Sequence, residues 1–406
     1  MTAGSEEGEN SLASKDTWNG LSTTNRELTI GIALSGGGVR AAVFHLGLLG
    51  RLAAADLLEQ VTFISTVSGG SLGMGLVYSL SGNRWPTSEE YLSTAAPRAK
   101  RCLTGKDLQV DAIFRLVTRP WHLLYGRAKL LAESIEHLWG VKGLVNELSD
   151  EPRWIINATA YESGKNWRFM SKRMGDYKLN QILEPAFPLA SAMAASAAFP
   201  ILIGPLVLRT EDFAWSRFTG ESRHATLPTE SKVPSVHLWD GGVYDNLGVE
   251  ALFKPGGKRY RDEYNFLIVS DASTPMGIER PYPFRRARRL INIAMDQVRS
   301  LRARQLVEHF ASHPNSGAYL KAGNTAQYIL EQAGVGEEEV AAVASNCLSK
   351  KDAELAVGHT TTLRRPSQEE FDRLYRHGWE VADCTLSAYS PKLFEKLDFR
   401  FSSGTG

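Results

Sequence analysis

Two side chains in this sequence have the type and setting for covalent acyl chemistry: a serine among glycines and an aspartate ahead of a glycine pair. Ser71 occupies Gly69-Gly70-Ser71-Leu72-Gly73, a G-x-S-x-G pattern that follows the apolar run Val61-Thr62-Phe63-Ile64. Glycines around a serine permit a sharp strand-to-helix turn with the hydroxyl at its apex. There the hydroxyl faces a helix N-terminus, whose unpaired N–H groups favour an alkoxide-like oxygen. Asp240 ends the run Val236-His237-Leu238-Trp239 and precedes Gly241-Gly242, which makes it the candidate base. A third segment, Ser35-Gly36-Gly37-Gly38-Val39-Arg40, has consecutive glycines whose N–H groups are unshielded and can receive the oxyanion of a tetrahedral intermediate. Each segment also has a plainer reading. The pentapeptide can be a tight connection, Asp-Gly-Gly a capped turn, and the glycine run a dinucleotide-binding loop. The last lacks its acidic partner, because the second strand leads into Ser65-Thr66-Val67-Ser68 instead of a ribose-binding carboxylate.

These segments need a sheet edge on which to meet. Leu28-Thr29-Ile30-Gly31-Ile32-Ala33-Leu34 reads as a buried strand, residues 41–58 as the helix after the glycine run, and residues 236–239 as a further short strand. The expected architecture is a three-layer α/β/α hydrolase with a central, mainly parallel sheet carrying a nucleophile elbow.

The order of the three motifs resembles that of the patatin-like phospholipases: G-G-G-x-R, then G-x-S-x-G, then D-G-[AG] far downstream. Trp154-Ile155-Ile156-Asn157-Ala158-Thr159-Ala160, Glu162-Ser163-Gly164-Lys165 and Ala194-Ala195-Ser196-Ala197-Ala198-Phe199-Pro200 extend the likeness, as does Tyr244-Asp245-Asn246-Leu247-Gly248. It covers about residues 28–272. The resemblance implies that Ser71 is the nucleophile, that Asp240 is its partner without a histidine, and that Gly36, Gly37, Gly38 and Leu72 form the oxyanion hole. Arg40, Gly69, Gly70, Gly73, Gly241 and Gly242 are the supporting motif positions. The implied activity is hydrolysis of fatty acyl esters of phospholipids or lysophospholipids through an acyl-enzyme, with no cofactor and no metal. Alternatives are an esterase or acyltransferase acting on a soluble acyl ester, or a non-catalytic regulatory protein on the same fold. Two departures stand out: Ser35 where plant members carry an acidic residue, and Ala41 where glycine is usual.

An aspartate is a weak base at its reference pKa of about 3.9, so an apolar setting beside Trp239 is expected to raise its proton affinity. A Ser-His-Asp triad would need one of nine histidines. His45, His237, His309 and His313 all stand in settings typical of structural or surface histidines. Asp271, closing Phe266-Leu267-Ile268-Val269-Ser270, is a rival carboxylate without the following glycines and reads as a cap or loop residue.

The 406 residues, 43% of them hydrophobic, suffice for one large core. A net charge of +1 gives no reason to expect nucleic acid as a partner. Cys102, Cys347 and Cys384 are far apart and odd in number, as expected of ordinary thiols in a reducing compartment. The polar stretch 1–27 lacks the basic start and apolar core of a signal peptide and reads as a flexible tail. Residues 28–281 are the expected catalytic domain, with 84–153 a helical cap insertion, and 282–406 a helix-rich extension packed upon it. Two uncharged runs, 60–83 and 185–208, are long enough to span a membrane, but glycines and prolines interrupt them and they read as core.

Residues 114–125 interleave aromatic and basic side chains, as at a lipid headgroup boundary, or as in a helix packed on the core. A cytoplasmic protein with peripheral membrane contact through this segment is expected. The arginines at 285, 286, 288, 289, 299, 302 and 304 surround an apolar stripe and solvate a helix face or meet an anionic partner. Oligomeric state is left open.

Overall fold

The computed structural model describes residues 27–123, 126–200, 202–218, 227–254, 259–260, 263–274, 276–280, 286–358 and 362–399. The expected N-terminal tail, apart from Glu27, and Leu124, Tyr125 and Arg285 lie outside them. β1 (Ile30–Leu34) leads to α1 (Gly38–Ala53), and β2 (Val61–Val67) to α2 (Gly69–Leu80). A helical stretch follows: α3 (Ser88–Glu90) runs through a π-helical turn into α4 (Ala96–Gly105), then come α5 (Leu108–Thr118) and α6 (Arg127–Trp139). Next are β3 (Arg153–Ala160), β4 (Lys165–Met170), β5 (Arg173–Asp176), β6 (Asn180–Leu183), α7 (Leu189–Ser196), β7 (Leu206–Arg209), β8 (Trp215–Ser216), β9 (Pro228–Thr229) and β10 (Ser235–Asp240). The chain continues through the one-turn α8 (Gly242–Asp245), the hairpin β11 (Phe253–Lys254) and β12 (Arg259–Tyr260), and β13 (Phe266–Asp271). It then forms α9 (Arg286–Ser312), β14 (Gly317–Lys321), α10 (Ala326–Gln332), α11 (Glu337–Ala344), α12 (Lys350–Gly358) and α13 (Gln368–Tyr389).

Strands β14, β13, β1, β2 and β3 lie side by side and parallel. From β3 the sheet continues antiparallel through β4, β5, β6, β8 and β9. Alternation along the central strands divides the core. Ile30, Ile32, Leu34, Ile64, Trp154, Ile156, Phe266 and Ile268 pack with α1, α2 and α13, whereas Ala33, Phe63, Ile155, Leu267 and Val269 pack with Ala303 and Leu306 of α9. Side chains of successive strand residues point to opposite faces, so a sheet apolar on both faces must be covered twice. This is the expected three-layer α/β/α arrangement.

Residues beyond 282 do more than cover the domain with helices. β14 extends the parallel sheet beside β13, and α13, started by a Ser367–Glu370 capping box, lies along α1. Their backbones approach closely: a Cβ on Gly378 would collide with Phe44 O, and one on Gly47 would stand 2.8 Å from Trp379 N. The two uncharged runs fold as β2 with α2 and as α7 with β7, and among the described residues no helix is long and apolar enough to cross a membrane. The arginine-rich helix α9 turns part of its charge inward. Arg299 pairs with Asp271 and Asp296, and Arg302 with Asp245 and Glu250.

Candidate active site

The register of β3 decides what meets. β2 pairs with its first half and ends with Val67 opposite Asn157. β10 approaches along the same edge from the other direction and ends with Asp240 opposite Ala158. The residue after Val67 and the carboxylate of Asp240 are thereby brought together. That residue is Ser68, not Ser71.

Ser68 is the N-cap of α2, with φ 49° and ψ −114°. A non-glycine residue at this positive φ is strained by about 1–3 kcal/mol, and the surroundings must hold it there. They do so through two backbone bonds: its N–H donates to Ser196 Oγ at 3.0 Å, and its carbonyl accepts from Leu72 N–H at 3.0 Å. The Asp240 carboxyl is pushed up to about 6 by burial, opposed by the N–H of Gly242 and by the Ser68 hydroxyl. Asp240 Oδ1 accepts from Gly242 N–H at 2.7 Å, while its main-chain N–H and C=O are fixed by Ala198 O and Thr159 Oγ1.

The expectation for Ser71 is corrected. It lies one turn inside α2, fully buried, with its hydroxyl 2.8 Å from both Thr66 Oγ1 and Ser196 Oγ. Two N–H groups expected in an oxyanion hole are already committed as well, Leu72 N–H to Ser68 O and Gly36 N–H to Asn246 O at 3.0 Å. Gly37 N–H, Gly38 N–H and Gly69 N–H, by contrast, meet no acceptor among the described residues. They cluster: a Cβ on Gly69 would stand 2.9 Å from Gly38 N, and one on Gly36 would stand 3.1 Å from Ser68 Cβ. Gly37 and Gly38 adopt φ 143° and 67°, conformations that favour glycine. The arrangement leaves glycine N–H donors in the loop that packs against a strained serine, and donors of this kind are what a developing oxyanion requires.

The remaining motif residues hold this frame. Arg40 is buried and donates from Nη2 to Ala272 O at 2.5 Å, and among the described residues its Nε and Nη1 meet no hydrogen-bond partner. Burial lowers its guanidinium to about 10 against the raising effect of Asp271, so a cation remains beside Gly37. Gly70 and Gly73 let α2 lie against Leu34 and Ala42, Gly241 sits on Asn157 O, and Gly242 faces the Asn246 side chain. Thr362 closes over the loop from the far end of the chain: its carbonyl accepts from Val39 N–H at 3.1 Å, and a Cβ on Gly38 would stand 2.5 Å from it.

Among the described residues no histidine hydrogen-bonds to Ser68 or Ser71. His45 binds Ser270 Oγ and Ser35 O, each at 2.9 Å, and burial holds it down to about 4. His237 meets Glu162. Asp271, the rival carboxylate, closes a strand instead of a loop and is engaged by Arg299 at 2.7 Å and Tyr319 at 2.5 Å. Ser196 and Ser68 are the residues of this turn that the motif reading passed over. The signal for Ser68 was its place as the first residue after a strand that runs to Val67, three residues longer than the apolar run alone suggests.

A sharp strand-to-helix turn beyond a parallel sheet, with a glycine loop facing it, is the framework of an α/β hydrolase. The family model of patatin-like phospholipases matches residues 32–253, and the chain belongs to that family. No curated protein matches it by sequence. Among solved structures it is similar to human GIVD cytosolic phospholipase A2, at 13% identity and a TM-score of 0.50, covering 90% of this chain and 62% of that one. Another match is the same human protein in complex with methyl gamma-linolenyl fluorophosphonate, at 15% identity and a TM-score of 0.49, covering 89% and 57%. VipD from Legionella pneumophila matches at 13% identity and a TM-score of 0.36, covering 89% and 67%. At such identities the likeness is one of fold, and this chain spans about three fifths of the human one.

Proposed function

We propose that the protein is a serine lipid acyl hydrolase that cleaves fatty acyl esters of phospholipids or lysophospholipids, with Ser68 as nucleophile and Asp240 as its base. The observation that carries this reading is the strained Ser68, held at the end of β2 against a buried carboxylate. Asp240 takes the hydroxyl proton as Ser68 Oγ attacks the ester carbonyl. The oxyanion is received by the N–H groups of Gly37, Gly38 and Gly69, and the alcohol or lysolipid departs with the proton from Asp240. Water then repeats the sequence on the acyl-Ser68 ester and releases the fatty acid. A carboxyl raised to about 6 is a better base than an ordinary aspartate and is still ionised at neutral pH.

Access to a bilayer is supported by α5. Val110, Phe114, Val117 and Trp121 are 62, 66, 72 and 68% exposed, and they recur on one face of this helix and the turn after it. The neighbouring charges cancel in pairs, Arg115 with Asp111 and Glu133, and Arg119 with Glu133. What remains is an apolar ridge ending in a tryptophan, suited to insertion among zwitterionic headgroups.

The test is release of fatty acid and lysolipid from phosphatidylcholine vesicles, followed by mass spectrometry for wild type, Ser68→Ala and Asp240→Asn. Release by wild type alone is expected. Cleavage of a soluble ester without release from vesicles would replace the lipid reading by an esterase, and release by Ser68→Ala would overturn the assigned nucleophile.

A further inference from the structure

A line of buried hydroxyls runs behind the elbow and is not itself part of the acyl chemistry. Trp154 Nε1 lies 3.0 Å from Thr66 Oγ1, which is 2.8 Å from Ser71 Oγ; Ser71 Oγ is 2.8 Å from Ser196 Oγ, which is 2.6 Å from the carbonyl oxygen of Asn157. The two ends fix the direction of every proton. An indole N–H can only donate and a carbonyl can only accept, so Trp154 donates to Thr66, Thr66 to Ser71, Ser71 to Ser196, and Ser196 to Asn157. The alternative acceptor for Thr66, Ile155 O, is at 3.5 Å and would leave a 2.8 Å oxygen pair without a proton between them. With its own proton spent on Asn157, Ser196 Oγ presents lone pairs, and one of them receives the N–H of Ser68 at 3.0 Å.

The main chain around Ser196 holds the other half of the site. Ser196 O accepts from Gly241 N–H at 3.1 Å and Ala198 O from Asp240 N–H at 3.0 Å. One residue at the end of α7 thus grips the nucleophile through its side chain and the base loop through its backbone. Hydrogen bonds aligned head to tail polarise one another in a dry interior, so removing an upstream donor weakens the last link.

We propose that Ser196 is a positioning residue that sets the strained Ser68 against Asp240, and that Ser71 acts through it by fixing the direction of its hydrogen bonds. The inference rests on Ser68 being the nucleophile. Its test separates the two claims. A fluorophosphonate is reacted with wild type, Ser68→Ala, Ser71→Ala, Ser196→Ala and Ser196→Cys, the labelled serine is located by fragmentation, and kcat and KM on a soluble ester are expressed per folded molecule alongside Tm.

Label on Ser68 is expected, with kcat in Ser196→Ala lowered about tenfold to hundredfold by misplacement of the hydroxyl and KM nearly unchanged. Ser71→Ala falls less, by about threefold to tenfold, because an upstream donor is lost but the grip on Ser68 stays. Ser196→Cys, close in volume but a weak hydrogen-bonding group, lies between wild type and Ser196→Ala. Should Ser196→Ala fail to fold, Trp154→Phe keeps a ring, removes the first donor, and is expected to lower kcat without a change in KM. Wild-type kcat per folded molecule in these variants, whatever their Tm, would reduce the chain to a packing role and overturn the proposal. Label on Ser71, or none on the folded wild type, would instead remove the nucleophile assignment and this inference with it.

Discussion

At the edge of β3 polar groups are buried, and along α5 apolar groups are exposed. Each region reverses the usual partition of a folded chain, and each does so in its own way. The elbow hides a serine, an aspartate and an arginine, nearly all of them hydrogen-bonded into place, and tolerates backbone strain at Ser68. Helix α5 is ordinary in its backbone, with an Asp107 cap accepting from Val110 N–H, and is unusual only in the side chains that it leaves in water. On the proposed function, the first reversal serves reactivity and demands rigidity, and the second serves docking and needs no particular geometry. Function concentrates where local rules are broken, but the way they are broken tells chemistry from docking.

Five variants set the two regions against each other. The largest effect is expected at the elbow: Ser68→Ala lowers ester hydrolysis by about a thousandfold or more, measured on a soluble ester and on vesicles, while Ser71→Ala lowers it only about threefold to tenfold. An equal loss in both would blur the distinction drawn between the two serines. Asp240→Asn follows, with a loss of at least about a hundredfold.

In the wild type the ionised fraction of Asp240 governs the rate, so activity should fall about tenfold per pH unit below about 6 and level off above it. The folded protein binds this proton more tightly than the unfolded chain does. That carboxyl therefore favours folding fully below about pH 4, and the advantage is lost as pH rises through about 6. Thermal melts should accordingly show Asp240→Asn stabilised at pH 8, by on the order of 1–3 kcal/mol, and little changed at pH 4.

A smaller loss is expected from Gly38→Ala, which forces a side chain into φ 67° against Thr362 O. The strain is about 1 kcal/mol or more, and a displaced oxyanion donor costs about a hundredfold in kcat at most. The last change leaves the chemistry alone. Phe114→Ser, Val117→Ser and Trp121→Ser together should weaken vesicle binding about tenfold, as partly inserted apolar side chains are lost. Hydrolysis of the soluble ester should stay at the wild-type rate. Unchanged vesicle sedimentation would leave α5 as a bare surface helix.

The buried half was the more legible in sequence. Runs of Ile, Val, Phe and Leu marked β1, β2, β3 and β13, and the three motifs pointed to one sheet edge, because glycine runs and strand-ending aspartates carry local conformational meaning. What could not be read was the register between them. Ser68-Gly69-Gly70-Ser71 contains two serines three residues apart, and choosing between them needs the end of β2, which pairing with β3 sets at Val67. The G-x-S-x-G spacing favoured the one that a helical turn carries into the core. Leu72 and Gly36 were misjudged for a related reason: whether an N–H is free depends on partners such as Asn246 O, far away in sequence. β14 escaped notice because Gly317-Ala318-Tyr319-Leu320-Lys321 is short and follows a long helix. Ser196 stood within a quoted stretch, but nothing local marks a hydroxyl as the grip of an elbow. For α5 the sequence left membrane and core readings open, and the exposure of Phe114 and Trp121 removes the core reading alone.

The close crossing of α1 and α13 bears on where this protein can be cut. The family match stops at residue 253, yet α1, which begins at the glycine loop, is covered by a helix more than a hundred residues later, and β14 completes the sheet from the same distant part of the chain. A fragment trimmed to the family boundary would carry every residue of the proposed chemistry and would bare the apolar flank of the very helix that presents the glycine loop. Heredity has marked out one unit and cooperative folding another, and anyone expressing, fusing or shuffling this protein has to respect the larger.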